Sequence, residues 1–161
     1  MLAAIITVVA VGAAVYFAWP EAVSARVLVD DVATMQADID APDLGTLTDE
    51  RRPDGAFGRR ASAAGWRPVA AAVATVHERR AVSTVWEKSG RRVAHTCLSG
   101  APVGRPDGSG RTGRSGVLLY SLPGDLRNTV TWTEQGQTAV ISGVDVSVGD
   151  LYDLAGGPAR R

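Results

Sequence analysis

The stretch LAAIITVVAVGAAVYFAW, residues 2–19, carries no charge, no proline and no strongly polar side chain. As a helix it would reach about 27 Å, close to the roughly 30 Å hydrocarbon thickness of a bilayer. Tyr16, Phe17 and Trp19 gather at one end, where amphipathic rings favour the headgroup layer, and Pro20 then ends the helix. The expectation is a transmembrane anchor over residues 1–20. A cleaved signal peptide is the rival, since Val23, Ser24 and Ala25 offer small residues for cleavage. No Lys or Arg precedes the apolar run, however, and the run is longer than a signal core, so we read it as retained. A buried core helix would need a larger surrounding domain than the rest of the chain supplies. The first basic residue, Arg26, follows the run, so charge alone sets no topology.

Beyond the anchor the charge is balanced, with 17 basic and 17 acidic residues in the whole chain. No basic face for nucleic acid follows from such a balance, and nucleic acid is excluded as an expected partner. The single cysteine, Cys97, permits no internal disulfide.

Residues 21–64 read as a juxtamembrane helix and a linker. In ARVLVDDVATMQADI, Val29, Val32, Met35 or Gln36, and Ile39 fall at helical spacing, while Asp30, Asp31 and Asp38 keep the other faces polar. Residues 40–65 then hold two prolines, several glycines and four arginines, with neither the helical nor the strand period sustained. Arg51, Arg52, Arg59 and Arg60 read there as a solvated run, with anionic lipid headgroups as the alternative contact.

From Trp66 onward the pattern is short β runs separated by turns. His77 to Arg80 is polar between VATV and AVSTVW, and Ser89-Gly90 separates STVW from VAHTCL, which makes three strands in a meander. Pro68 suits an edge strand because it cannot donate to the ladder. Residues 100–116 read as a glycine-rich loop, followed by the strand VLLYSL and a second hairpin turning at Gln135-Gly136. WEKSG and WTEQG repeat one device: a β run ends in Trp86 or Trp132 and reaches Gly four residues on. Ser147 reads as the N-cap of a closing helix whose buried stripe is Leu151, Leu154 and Ala155, stopped by Gly156-Gly157. The expected fold is α+β: a transmembrane helix, then over residues 65–157 a mainly antiparallel sheet of about five or six strands with a C-terminal helix on one face.

Few residues invite chemistry. Strand alternation puts Val93, His95 and Cys97 on one face, so His95 and Cys97 are neighbours. Zinc needs three or four protein ligands, and the only other histidine, His77, stands alone on a turn, so no metal site is expected. A nucleophilic cysteine would sit at a helix N-terminus or tight turn beside a base and oxyanion donors; mid-strand, Cys97 reads as a small buried hydrophobe. GSGRTG, residues 108–113, matches the glycine pattern of dinucleotide sites but leads into a strand where that site needs a helix. No catalytic residue and no cofactor is therefore expected. Trp86 and Trp132 are the candidate partner or ligand contacts, although two tryptophans covering neighbouring strands explain them without any ligand.

The order of parts is similar to the membrane-spanning and extracytoplasmic region of bacterial transmembrane anti-sigma factors. The resemblance rests on the anchor, LVDDVATM, Gly65-Trp66 opening the sheet, the Trp86-to-Arg91 and Trp132-to-Gly136 hairpins, and the closing helix. It spans most of residues 2–155, on structural motifs of moderate specificity. It implies a sheet outside the membrane and a non-enzymatic role in transcription or envelope-stress signalling. The implied partners are the cell membrane and a sigma or anti-sigma system protein or membrane protease. Family members place a cytoplasmic sigma-binding helical domain before the anchor, often with a His-x-x-x-Cys-x-x-Cys zinc motif. This chain begins at the anchor, so sigma binding is carried over to no residue here. The alternative is an exported module binding a lipid or cell-wall fragment, for which a large apolar pocket lined by Trp86 and Trp132 would speak.

Overall fold

A computed structural model describes residues 23–39, 55–124 and 127–157. The anchor expected over residues 1–20 lies outside them; among the described residues, no helix is long and apolar enough to cross a membrane.

Seven strands form one antiparallel sheet: β1 (Arg67–Val76), β2 (Arg79–Lys88), β3 (Arg91–Leu98), β4 (Gly110–Arg114), β5 (Val117–Leu122), β6 (Asn128–Glu134) and β7 (Gln137–Gly143), in the order β1-β2-β3-β7-β6-β5-β4. Among the described residues, three helices flank it: α1 (Ala25–Ala37), α2 (Ala56–Ala63) and α3 (Val148–Gly156). The α+β class with a C-terminal helix agrees with the sequence, but the sheet has seven strands where five or six were expected. The extra strand is β4, inside the stretch read as a glycine-rich loop. Its GRTGR sequence shows no apolar alternation because it is an outer strand, paired only with β5 and largely exposed.

The hairpins turn on paired left-handed residues. Ser89-Gly90, Ser115-Gly116 and Gln135-Gly136 all have positive φ at both positions, as two-residue turns matched to strand twist require. The first turn does the same with His77 at φ 47° and Glu78 at φ 62°, neither of them glycine. Pro68 sits at an irregularity in β1, an edge strand, where its missing N–H does least harm.

The two meanders β1-β2-β3 and β5-β6-β7 meet through their third strands, related by a local pseudo-twofold arrangement. The offset that carries Trp86 onto Trp132 also carries His95 onto Ile141, and these two face each other across the β3–β7 pair. Both tryptophans therefore project from the same face of the sheet, on β2 and β6.

That face is covered by α2 and α3. Phe57, Ala61, Trp66, Trp86, Leu119, Val130, Trp132, Ile141, Leu151 and Leu154 make one continuous core. Helix α2 lies within the stretch read as linker, and Phe57 from it is only 1% exposed. Ser147 caps α3 as expected, its Oγ accepting from the Asp150 N–H at 3.1 Å. The helix runs through Gly156, and Gly157, at φ 83°, ends it.

On the opposite face lies α1. Ser24 caps it, with Oγ accepting from the Val27 N–H at 3.2 Å. Leu28, Val29 and Val32 pack on Ala81, Leu98, Leu122 and Val140. The stripe position shared in the sequence by Met35 and Gln36 has its fully buried member in Gln36, at 3% exposure.

Candidate functional site

Cys97 and His95 lie on the face of β3 that looks toward α2, two residues apart, as alternation requires. Cys97 Sγ stands 3.9 Å from His95 Nε2. On the same nitrogen converges Glu134, from the end of β6, with Oε2 at 3.6 Å. Strand β7 runs between β3 and β6, and the residue opposite both Cys97 and Trp132 is Ala139. The three donor atoms lie within 4.8 Å of one another.

The surroundings are aromatic. The Phe57 ring stacks on the imidazole, with centroids 4.0 Å apart and planes within 5°. Trp132 lies 5.5 Å from the imidazole and 6.2 Å from Phe57, so the three rings make a triangle and not a sandwich. The His95 and Glu134 side chains are each only 12% exposed. Arg60, from α2, places Nη2 3.5 Å from Glu134 Oε1 and donates from Nε to the Leu154 carbonyl at 3.0 Å, which ties the guanidinium to α3.

Two opposed effects act on each ionisable group. Burial disfavours the imidazolium, but the hydrogen-bonding approach of Cys97 and then of Glu134 outweighs it, so the His95 pKa is raised. Burial likewise disfavours the Glu134 carboxylate, but His95 and Arg60 overcome it and the pKa is lowered. This geometry differs from that of a nucleophile–base–orienter relay. In such a relay the two imidazole nitrogens serve different partners, whereas here the thiol and the carboxylate share Nε2.

Trp86 and Trp132 are 1% and 3% exposed and sit in the core, so neither indole presents a face to solvent. Trp86 meets Phe57 edge-on at 5.8 Å, and its Nε1 is a buried donor without a hydrogen-bond partner among the described residues. His77 leaves its turn to bond Asp31 of α1 at 2.6 Å, away from His95. The GSGRTG segment runs into the β4–β5 hairpin, with no helix N-terminus after it. Sequence reasoning paired His95 with Cys97 but missed Glu134, Phe57 and Arg60. Alternation from Trp132 places Glu134 on the same face, yet only the strand order brings β6 near β3.

A second polar assembly lies under α1. Arg127 Nη1 donates to Ser142 Oγ at 2.8 Å, and Ser142 Oγ donates to Gln36 Oε1 at 2.5 Å. Gln36 Nε2 in turn donates to Thr96 Oγ1 at 2.7 Å and to the Val140 carbonyl at 3.2 Å. Thr96 and Ser83 hydroxyls share a further bond at 2.7 Å. Buried polar groups need such partners, so this chain fixes the register of α1 on the sheet as well as its stability. No family model, no curated protein and no solved structure matches the chain.

Proposed function

We propose that the chain is a non-enzymatic, single-pass membrane protein. Its α+β domain acts outside the cytoplasm, in transcription or envelope-stress signalling through protein contacts, in the manner of the outer region of anti-sigma factors. The observation that carries this reading is the clamp on α1. The helix begins a few residues after the apolar run 2–19, and the Gln36 network together with the His77–Asp31 pair joins it to the sheet. A partner that strains or relaxes the sheet thereby alters how firmly the membrane-proximal segment is held, and so its exposure to a membrane protease. Strand β1 offers such a partner an open edge with Val73 42% exposed.

The alternative of a lipid- or cell-wall-fragment-binding module calls for an apolar pocket lined by Trp86 and Trp132, and their burial in a filled core counts against it. A photo-crosslinker at Val73, activated in bacterial membranes and analysed by mass spectrometry, separates the two. Capture of a sigma or anti-sigma system protein or a membrane protease is the expected result. Crosslinks confined to lipid or glycan would overturn it.

A further inference from the structure

One sulfur, one nitrogen and one carboxylate oxygen, from Cys97 and His95 of β3 and Glu134 of β6, lie within 4.8 Å of one another on the face covered by α2. His95 Nε2 and Glu134 Oε2 are 3.6 Å apart, an ion-pair distance longer than the about 2.7–3.2 Å of a short nitrogen–oxygen hydrogen bond. Two atoms that bind one zinc ion tetrahedrally, at about 2.0–2.3 Å each, stand about 3.4–3.6 Å from one another. The N–O separation lies at the upper end of that spacing, the S–N separation of 3.9 Å exceeds it by a few tenths of an ångström, and no two of the three atoms are more than 4.8 Å apart, so side-chain adjustment would bring all three onto one ion. A partly desolvated carboxylate that crosses an intervening strand to approach a thiol and an imidazole completes a set of three donors, of sulfur, nitrogen and oxygen, gathered at one point.

We propose that His95 Nε2, Cys97 Sγ and Glu134 Oε2 form a three-ligand site for a zinc-class divalent cation, with the fourth position left to water. The ligand set of one sulfur, one nitrogen and one oxygen suits zinc and not magnesium or calcium, which take oxygen. Binding takes the cysteine as thiolate and the histidine as neutral imidazole, and their protons pass to solvent. Arg60 holds Oε1 and leaves Oε2 for the ion, while its own Nε is fixed by the Leu154 carbonyl. The ion would join β3 of one meander to β6 of the other beneath Phe57 of α2, so occupancy would bear on the seam between the two halves of the sheet. This inference stands apart from the membrane reading and survives its failure.

The full chain, purified in detergent, reduced and freed of metal with a chelator, is titrated with cobalt(II). The expected result is one cobalt per chain, a thiolate-to-cobalt charge-transfer band, the visible bands of four-coordinate cobalt, and quenching of tryptophan fluorescence through nearby Trp132. Equimolar zinc then displaces the cobalt. Cys97→Ser removes the charge-transfer band and weakens binding at least about 100-fold, with metal-free circular dichroism unchanged. Glu134→Gln, at the rim of the cluster, keeps the band and weakens binding at least about 10-fold. His77→Ala binds as wild type. Binding without the charge-transfer band, equal affinity in wild type and Glu134→Gln, or no saturable binding would each overturn the proposal.

Discussion

Gln36 of α1 and Thr96 of β3, sixty positions apart in the chain, share a buried 2.7 Å hydrogen bond at the centre of a polar chain running from Arg127 to Ser83. An amide in that place supplies a donor and an acceptor in opposite directions. It accepts from Ser142 and donates to Thr96, a pairing that an apolar residue of the same size cannot make.

Gln36→Leu should therefore cost about 1–3 kcal/mol, because it removes the buried bonds to Ser142, Thr96 and the Val140 carbonyl and leaves Ser142 with Arg127 and Thr96 with Ser83. The loss is read from urea unfolding of the detergent-solubilised chain. Faster hydrogen exchange should be concentrated in α1, and exchange that stays at the wild-type rate there would remove the clamp from the account.

Phe57 tests whether residues preceding the sheet belong to the fold. Phe57→Ala removes a ring that is 1% exposed and touches Trp86, Trp132 and His95. The expected cost is about 3–5 kcal/mol. A loss below about 1 kcal/mol in thermal or urea unfolding would mean that α2 is dispensable.

Gly156 lies where α3 passes closest to the outer strands. A Cβ there would stand 2.5 Å from Arg114 Cβ and 3.3 Å from the Arg114 carbonyl oxygen. Gly156→Ala should destabilise by about 1–3 kcal/mol despite alanine's better helix propensity, since the strand backbone must give way. Gly149→Ala, whose nearest neighbour would be the Ser147 hydroxyl at 3.6 Å, serves as the helix control and should be neutral or stabilising.

Acid sensitivity has an identifiable contributor in Glu87. Hydrogen bonds from Arg67 at 3.0 Å and from Arg92 at 3.2 Å hold its carboxyl below the ordinary value of 4.5. A carboxyl whose folded pKa is depressed stabilises above its unfolded value, and that stabilisation is lost as pH falls through the folded value. Glu87→Gln should lower the unfolding midpoint slightly at neutral pH, with the difference from wild type vanishing under strong acid. Because both arginine partners are exposed, added salt should shrink the effect. A difference that grew toward acid would contradict the assignment.

Local chemistry was legible where one short stretch decides the outcome. Ser89-Gly90 and Gln135-Gly136 announce their turns, Ser147 announces α3, and alternation from Val93 places His95 beside Cys97. What depends on distant pairing was not legible. Strand β4 needs only one neighbour and so carries no apolar signature, and α2, with eight residues, is too short for its period to stand out. Glu134 joins the cluster because the strand order sets β6 one strand away from β3, across β7. The sequence offers Gln36 only as an alternative to Met35 in the stripe, and its purpose emerges only beside Thr96 and Ser142.

A sheet held outside the cytoplasm by a membrane anchor is tested by finding the side of the membrane on which the sheet lies. Gly104 is exposed, with open space where a side chain would project. A Gly104→Cys substitution in a Cys97→Ser background can be labelled on intact cells with a membrane-impermeant thiol reagent. Labelling is expected before lysis, on protein that remains in the membrane fraction after an alkaline wash. Labelling only after lysis, or recovery in the soluble fraction, would contradict it.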